Sequence, residues 1–115
     1  MNEADWEQRV SDAWASMDQR SEVEFLALIG NLAAKLPPDT GAGIFERGSS
    51  LDSTGHSDLA VPLYRQALER GLTGERRRRA VIQLASSLRN LGRPEESVAL
   101  ITTELDAGFP HLSPP

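Results

Sequence analysis

The sequence predicts an all-α protein made of stacked antiparallel helical hairpins, with about six helices. Apolar residues recur at three- and four-residue spacings along most of the chain, which is the period of an amphipathic helix. Residues 43–72 also align with residues 80–109 at a constant offset of 37. This offset preserves two turn glycines and the apolar positions between them. Such a period indicates hairpins that stack to bury their apolar faces.

An atypical N-terminal hairpin is expected over residues 4–36. Its first helix, residues 4–17, carries both tryptophans of the chain. Trp6 and Trp14 share one face of this helix, because they lie eight residues apart. We expect them to pack on the second helix as core, and an exposed patch for self-association is the alternative.

The second helix of this hairpin has a clear start and a clear end. Ser21 followed by Glu24 is a capping-box pattern. Apolar residues then occupy much of the helix circumference as far as Leu36, which predicts burial on more than one side. Pro37-Pro38 ends the helix, since a residue before proline is disfavoured in helical geometry.

Four further helices are predicted, bounded by turn glycines and by Pro94 at a helix start. Gly48, inside the third helix, allows a neighbouring helix to approach closely. Pro62 requires the fourth helix to begin no earlier than about Asp58, because proline is tolerated in the first helical turn. The predicted bounds are residues 42–53, 58–70, 75–91 and 94–107.

The repeated stretch resembles the tetratricopeptide repeat. The second copy contains Val81-x-x-Leu84-Ala85-x-x-Leu88 followed by Ser97-x-x-x-Ile101, and its arginine-rich helix is similar to those of bacterial tetratricopeptide-like proteins. The first copy departs from the pattern at Arg47, where leucine is usual. The resemblance implies a right-handed stack in one domain, 1–115, with repeats at 41–74 and 78–111 and the N-terminal hairpin as a cap.

The charge is unevenly distributed in a chain of net charge −5. Residues 1–30 contain seven acidic residues and two arginines, whereas residues 60–94 contain eight arginines and two acidic residues. Charge separated in this way steers association. It is also suited to docking of the two halves on each other, or of two copies of the chain.

Composition argues against several classes of function. The absence of cysteine excludes disulfides and thiolate metal sites. His56 and His111 fall in turns or tails, so neither a metal nor another cofactor is expected. No apolar run reaches the roughly 18 residues of a membrane span, and no secretory signal is recognisable. We therefore expect a cytoplasmic protein without a membrane partner.

The resemblance implies a binding groove, because the first helix of each tetratricopeptide hairpin lines the concave side of the stack. Arginine and amide side chains at these positions suit an extended peptide that carries carboxylates. We therefore expect a non-catalytic protein-interaction module. The expected groove residues are Phe45, Ser49, Asp52, Arg79, Gln83, Ser86, Arg89 and Asn90.

Alternatives remain at the run from Arg76 to Arg79. Cations are disfavoured at a helix start, so some other interaction should offset the cost. The run is either a solvated face that pairs with Glu75 and the acidic N-terminal helices, or a contact for an acidic partner. Without interleaved aromatic residues it makes a poor nucleic-acid surface. The second candidate function is homodimerisation through the acidic and arginine-rich faces, and an enzyme using Ser86 or His56 comes third.

Overall fold

The computed structural model describes residues 2–108, which form six α-helices and one short 3-10 helix. Among these residues there is no strand, so the predicted all-α class is confirmed. Consecutive helices pack against each other. The elements are α1 (Glu3–Ala15), the 3-10 helix (Met17–Gln19), α2 (Glu22–Ala33), α3 (Gly41–Ser53), α4 (Ser57–Glu69), α5 (Gly74–Asn90) and α6 (Pro94–Asp106).

Local signals set most helix ends as predicted, but α1 ends at Ala15 and not at residue 17, and α2 ends at Ala33, three residues before the predicted Leu36. The Ser21 hydroxyl accepts from the Glu24 amide at 3.1 Å, and the Glu24 carboxylate accepts from the Ser21 amide at 2.9 Å, which confirms the capping box. Pro94 occupies the first turn of α6. Gly55 and Gly92 end the turns after α3 and α5 with φ of 89° and 79°, a left-handed geometry that glycine adopts without strain.

The N-terminal hairpin has its own apolar core between α1 and α2, built from Trp6, Val10 and Ala13 on one side and Phe25, Ile29 and Leu32 on the other. The buried Trp6 indole donates to the Leu32 carbonyl at 2.7 Å. Trp14 is half-buried and meets Phe25 edge-on, with ring centroids 5.0 Å apart. Both tryptophans therefore pack with α2, as the sequence predicted.

A second core joins α3, α4 and α5, with Leu100 of α6 packed against it. A Cβ atom added to Gly48 would lie 3.3 Å from the Leu63 and Tyr64 side chains of α4, so the predicted close approach at this glycine is confirmed. Helix α2 contacts both α1 and α3 and so links the two cores. Its burial on two sides agrees with its apolar circumference.

Pro62 departs from the sequence-based expectation. Helix α4 starts at Ser57, so Pro62 is its sixth residue and lies in the second turn instead of the first. Proline removes the amide that would bond to the carbonyl of Asp58. Asp58 is exposed, so water can satisfy that carbonyl.

Candidate functional site

An open groove of about 550 Å³ lies where α1, α3 and α5 come together. These are the first helices of the three hairpins, which the resemblance assigned to the binding side. Val10 and Trp14 supply the apolar part of the lining, and Ser11 with acidic and arginine side chains supplies the rest. The groove is lined by Glu7, Val10, Ser11, Trp14, Glu46, Glu75, Arg76 and Arg79.

Arg76 ties the three helices together at this groove. Its guanidinium donates through Nη1 to Glu7 Oε2 of α1 at 2.8 Å and through Nε to Glu46 Oε2 of α3 at 3.0 Å. The other carboxylate oxygen of Glu46 accepts from the Trp14 indole at 2.8 Å. Glu46 is almost fully buried, so these two donors replace the water it has lost.

The electrostatics of this cluster favour the charged forms of both partners. The hydrogen bond from Arg76 holds the pKa of Glu7 below its ordinary value, against a smaller opposing effect of burial. The bond to Glu7 likewise raises the pKa of Arg76. The guanidinium also lies 5.1 Å from the centre of the Trp6 ring, a cation–π contact. The cluster therefore fixes the N-terminal hairpin to α5.

The next two arginines of the run are also paired. Arg77 donates through Nε to Glu104 Oε2 of α6 at 2.9 Å, and both side chains are largely buried. Arg78 pairs with the exposed Glu75 at 3.0 Å. Pairing to Glu75 and to the N-terminal helix was one of the two interpretations of the run, and the structure shows it for Arg76 and Arg78. Such pairs offset the unfavourable position of cations at a helix start.

Arg79 differs from its three neighbours, because it forms no ion pair within residues 2–108. It is exposed, and its guanidinium lies 5.4 Å from the centre of the Phe45 ring. Further along α5, Gln83, Arg89 and Asn90 are exposed and Ser86 is half-buried. Arg79, Gln83, Ser86 and Asn90 follow one polar stripe of α5 and Arg89 lies beside it; together they are called the polar face of α5. Arg79 alone among them lines the groove described above.

The predicted residues of α3 lie deeper than the expected groove. Phe45 is completely buried and Ser49 nearly so. Asp52 is half-buried and accepts hydrogen bonds from Ser57 and from the Tyr64 hydroxyl, each at 2.9 Å. Burial, with a smaller contribution from Asp52, raises the pKa of Tyr64. These three side chains are thus engaged in the interior, and Phe45 is covered on the α5 side by the Arg79 guanidinium.

Sequence reasoning missed three carboxylates that organise this region: Glu7, Glu46 and Glu104. One signal was available for Glu104. At the repeat offset of 37 it matches Ala67, which is fully buried, so an acid at this position needs a cationic partner. For Glu7, the sequence indicated only that the arginine run pairs with the acidic N-terminal helices. Glu46 falls at a groove position of the first repeat copy, next to Phe45, which did not identify its partner.

Both histidines lie away from the groove or outside the described residues. His56 lies in the turn before α4 and contacts the Glu22 carboxylate, and His111 lies outside the described residues. Among residues 2–108, no group of three or more His, Asp or Glu side chains is arranged to hold a metal ion. None of the helices in this part of the chain combines the length and apolar character needed to cross a membrane.

The comparison with protein families adds one finding. The model of the tetratricopeptide repeat matches residues 41–113, well over half of the chain. Neither a curated protein nor a solved structure matches the chain. Six helices in consecutive contact, two matching hairpins and a groove lined by the first helix of each hairpin agree with that match. The chain therefore belongs to the tetratricopeptide-repeat family, whose members are generally non-catalytic modules for protein–protein interaction.

Proposed function

We propose that this chain is a non-catalytic interaction module that holds an extended, carboxylate-bearing peptide along the polar face of α5. The observation that carries the proposal is a difference among the arginines of this helix. Arg76, Arg77 and Arg78 are each paired with a carboxylate of the chain. Arg79 and Arg89 have no such partner among residues 2–108 and are exposed. Their charges are therefore available to a ligand.

The spacing of these two arginines defines the ligand. They lie ten residues apart on α5, which is about 15 Å along the helix axis. An extended peptide covers this distance in about four or five residues, and residues four apart point to the same side. Gln83, which is also exposed, can bond to the peptide backbone between the two carboxylates, and the exposed Asn90 can bond to it next to the carboxylate at Arg89.

The second candidate function, homodimerisation through the acidic and arginine-rich faces, uses charges that are partly satisfied within one chain. Arg76 binds Glu7 and Glu46 in the same molecule. Breaking these pairs to form the same pairs between copies would yield little net gain. The peptide-binding function needs no such exchange, and we favour it for this reason.

The test is a set of synthetic peptides with two glutamates one to six positions apart in sequence, measured by fluorescence anisotropy against the whole chain. We expect the tightest binding when the second glutamate is four positions after the first, weakened by salt. The variant Arg79→Ala/Arg89→Ala/Asn90→Ala should bind at least about tenfold more weakly, since one charge-assisted hydrogen bond contributes about 1.5–3 kcal/mol.

The matched control is Arg9→Ala/Arg47→Ala, which removes two exposed arginines of α1 and α3 that form no ion pair within residues 2–108. It should bind the peptides as wild type does. Equal weakening by both variants would show that net charge, and not this face, governs binding. A salt-sensitive dimer in sedimentation, with no peptide binding, would support homodimerisation instead.

A further inference from the structure

The outer face of α6 carries an apolar stripe that is open to solvent. Val98, Ile101 and Leu105 share this face, because they are three, four and seven residues apart. Val98 is 65% exposed and Ile101 37% exposed, while Leu105 is half-buried. Surface apolar residues are ordinary when scattered, whereas three in helical register make a surface that a second helix can cover.

The preceding hairpin shows what covers the same stripe. At the offset of 37, the three residues match Val61, Tyr64 and Leu68 of α4. Val61 and Tyr64 are buried, 5% and 0% exposed, in the core that α5 completes with Ala80, Leu84 and Leu88. Leu68 packs against that core. The α6 stripe therefore matches a stripe of α4 that the amphipathic helix α5 covers within the same chain.

The charges beside the stripe indicate the chemistry of its occupant. Glu95 and Asp106 lie on one flank of the stripe, since eleven residues make about three helical turns. Both are exposed and neither forms an ion pair within residues 2–108. The other two carboxylates of α6 are engaged, Glu96 with Arg65 and Arg93 and Glu104 with Arg77. Free carboxylates beside an apolar stripe favour a partner with lysine or arginine on the matching flank.

We propose that the outer face of α6 is a second interaction surface, which binds an amphipathic helix of another protein with an apolar stripe and one basic flank. A second copy of this chain fits less well. An antiparallel two-fold pairing of two α6 helices would place Glu95 of one copy near Asp106 of the other, and like charges repel. This surface is separate from the polar face of α5, and its occupation does not depend on the peptide.

The probe is a synthetic peptide of residues 74–90, acetylated and amidated, because α5 is the helix that covers the matching face of α4. It is titrated into the whole ¹⁵N-labelled chain. We expect amide shifts centred on α6 and an affinity at least tenfold above that of a scrambled peptide of the same composition. The scrambled peptide keeps the arginines and loses the stripe, so it separates the stripe from simple attraction to an acidic protein.

Two pairs of variants test the two parts of the surface. Val98→Ala/Ile101→Ala should weaken binding about tenfold, whereas Val23→Ala/Leu59→Ala, which also shortens exposed apolar side chains, should not. Glu95→Gln/Asp106→Asn should weaken binding about threefold and reduce its salt dependence. Its control, Glu3→Gln/Asp18→Asn, removes two exposed carboxylates on α1 and the 3-10 helix. All four variants change exposed side chains, and circular dichroism checks that they remain folded.

Three results would overturn the proposal. Equal binding of the scrambled peptide, or shifts away from α6, would show that the stripe is not the binding surface. A wild-type dimer in sedimentation that Val98→Ala/Ile101→Ala abolishes would make a second copy the occupant. Binding that appears only after deletion of residues 109–115 would assign the face to the chain's own tail. The variant Arg79→Ala/Arg89→Ala/Asn90→Ala, which changes the polar face of α5, should bind the α5 peptide as wild type does. The tests of the two proposed surfaces are therefore independent.

Discussion

Helices α3 and α5 hold matching positions in two successive hairpins, yet the same positions have opposite environments. Phe45 of α3 is completely buried, whereas Ile82, its counterpart on α5, is 41% exposed. Glu46 is likewise buried and its counterpart Gln83 exposed. The cause is the number of first helices of other hairpins that lie alongside. Helix α3 has α1 on one side and α5 on the other. In the described part of the chain, α5 has a first helix of another hairpin only on the α3 side.

This difference separates what a repeat register determines from what it does not. Register determines which side of a helix a residue occupies. Whether that side is open depends on the helices next to it. Here Trp14 of α1 contacts Glu46, while Tyr64 of α4 and Arg79 of α5 contact Phe45. Residues at the same groove position of the family pattern therefore differ in solvent exposure between the two repeat copies. Those of α3 serve packing, and those of α5 are the accessible ones.

The largest effect is expected where the two helices differ most. Phe45→Ala should lower the free energy of unfolding by about 3–5 kcal/mol, because it leaves a cavity beneath Arg79 and beside Tyr64. Ile82→Ala, at the matching position, should cost less than about 1 kcal/mol. Urea unfolding of both variants measures the contrast. Similar losses would show that α5 is covered as α3 is.

At another matching position the contrast is reversed, and the residue of α5 is buried while the residue of α3 is exposed. Leu84 is completely buried, whereas Arg47 is exposed and makes one long hydrogen bond, 3.5 Å, to the Gly30 carbonyl. Leu84→Ala should cost about 2–5 kcal/mol and Arg47→Ala within about 0.5 kcal/mol. The same urea titration applies. A loss below 1 kcal/mol at Leu84 would mean that the assigned repeat register is wrong.

The link between the N-terminal hairpin and α5 should be the next most sensitive feature. Arg76→Ala leaves the buried Glu46 carboxylate with the Trp14 indole as its remaining donor. We expect a loss of about 2–3 kcal/mol, below the roughly 3–5 kcal/mol of a fully buried pair, because Glu7 is partly exposed. Arg78→Ala, which breaks the exposed pair with Glu75, should cost about 0–1 kcal/mol. Equal losses would mean that the cluster does not hold the hairpin.

These contrasts also explain how far the sequence could predict the molecule. Most helix bounds, the Ser21 capping box and the close approach at Gly48 depend on residues near each other in the chain or on one helix face, and these were predictable. The end of α2 and the place of Pro62 in α4 were not. Pairing of the arginine run with the acidic N-terminal helices was one interpretation of the sequence. The identity of the partners in the Arg76 cluster was not predictable, because Glu46 and Glu7 are 30 and 69 residues away from Arg76. Their meeting depends on how one hairpin docks on the next, and no local pattern encodes that geometry.

The smallest expected effect concerns the pH dependence of the same link. The pKa of Glu7 is lowered from its ordinary 4.5, chiefly by the hydrogen bond from Arg76. A carboxyl group with a lowered folded-state pKa stabilises the protein fully above its unfolded-state pKa and loses that contribution as the pH falls through the folded-state value. The difference in urea midpoint between wild type and Glu7→Gln should therefore stay constant from pH 7 to about pH 5 and shrink below pH 4.5. In the Arg76→Ala background, Glu7→Gln should produce no such change with pH. A difference that persists unchanged into strong acid would show that Glu7 contributes through packing on α1, and that the hairpin is held by its apolar contacts instead of by the ion pair.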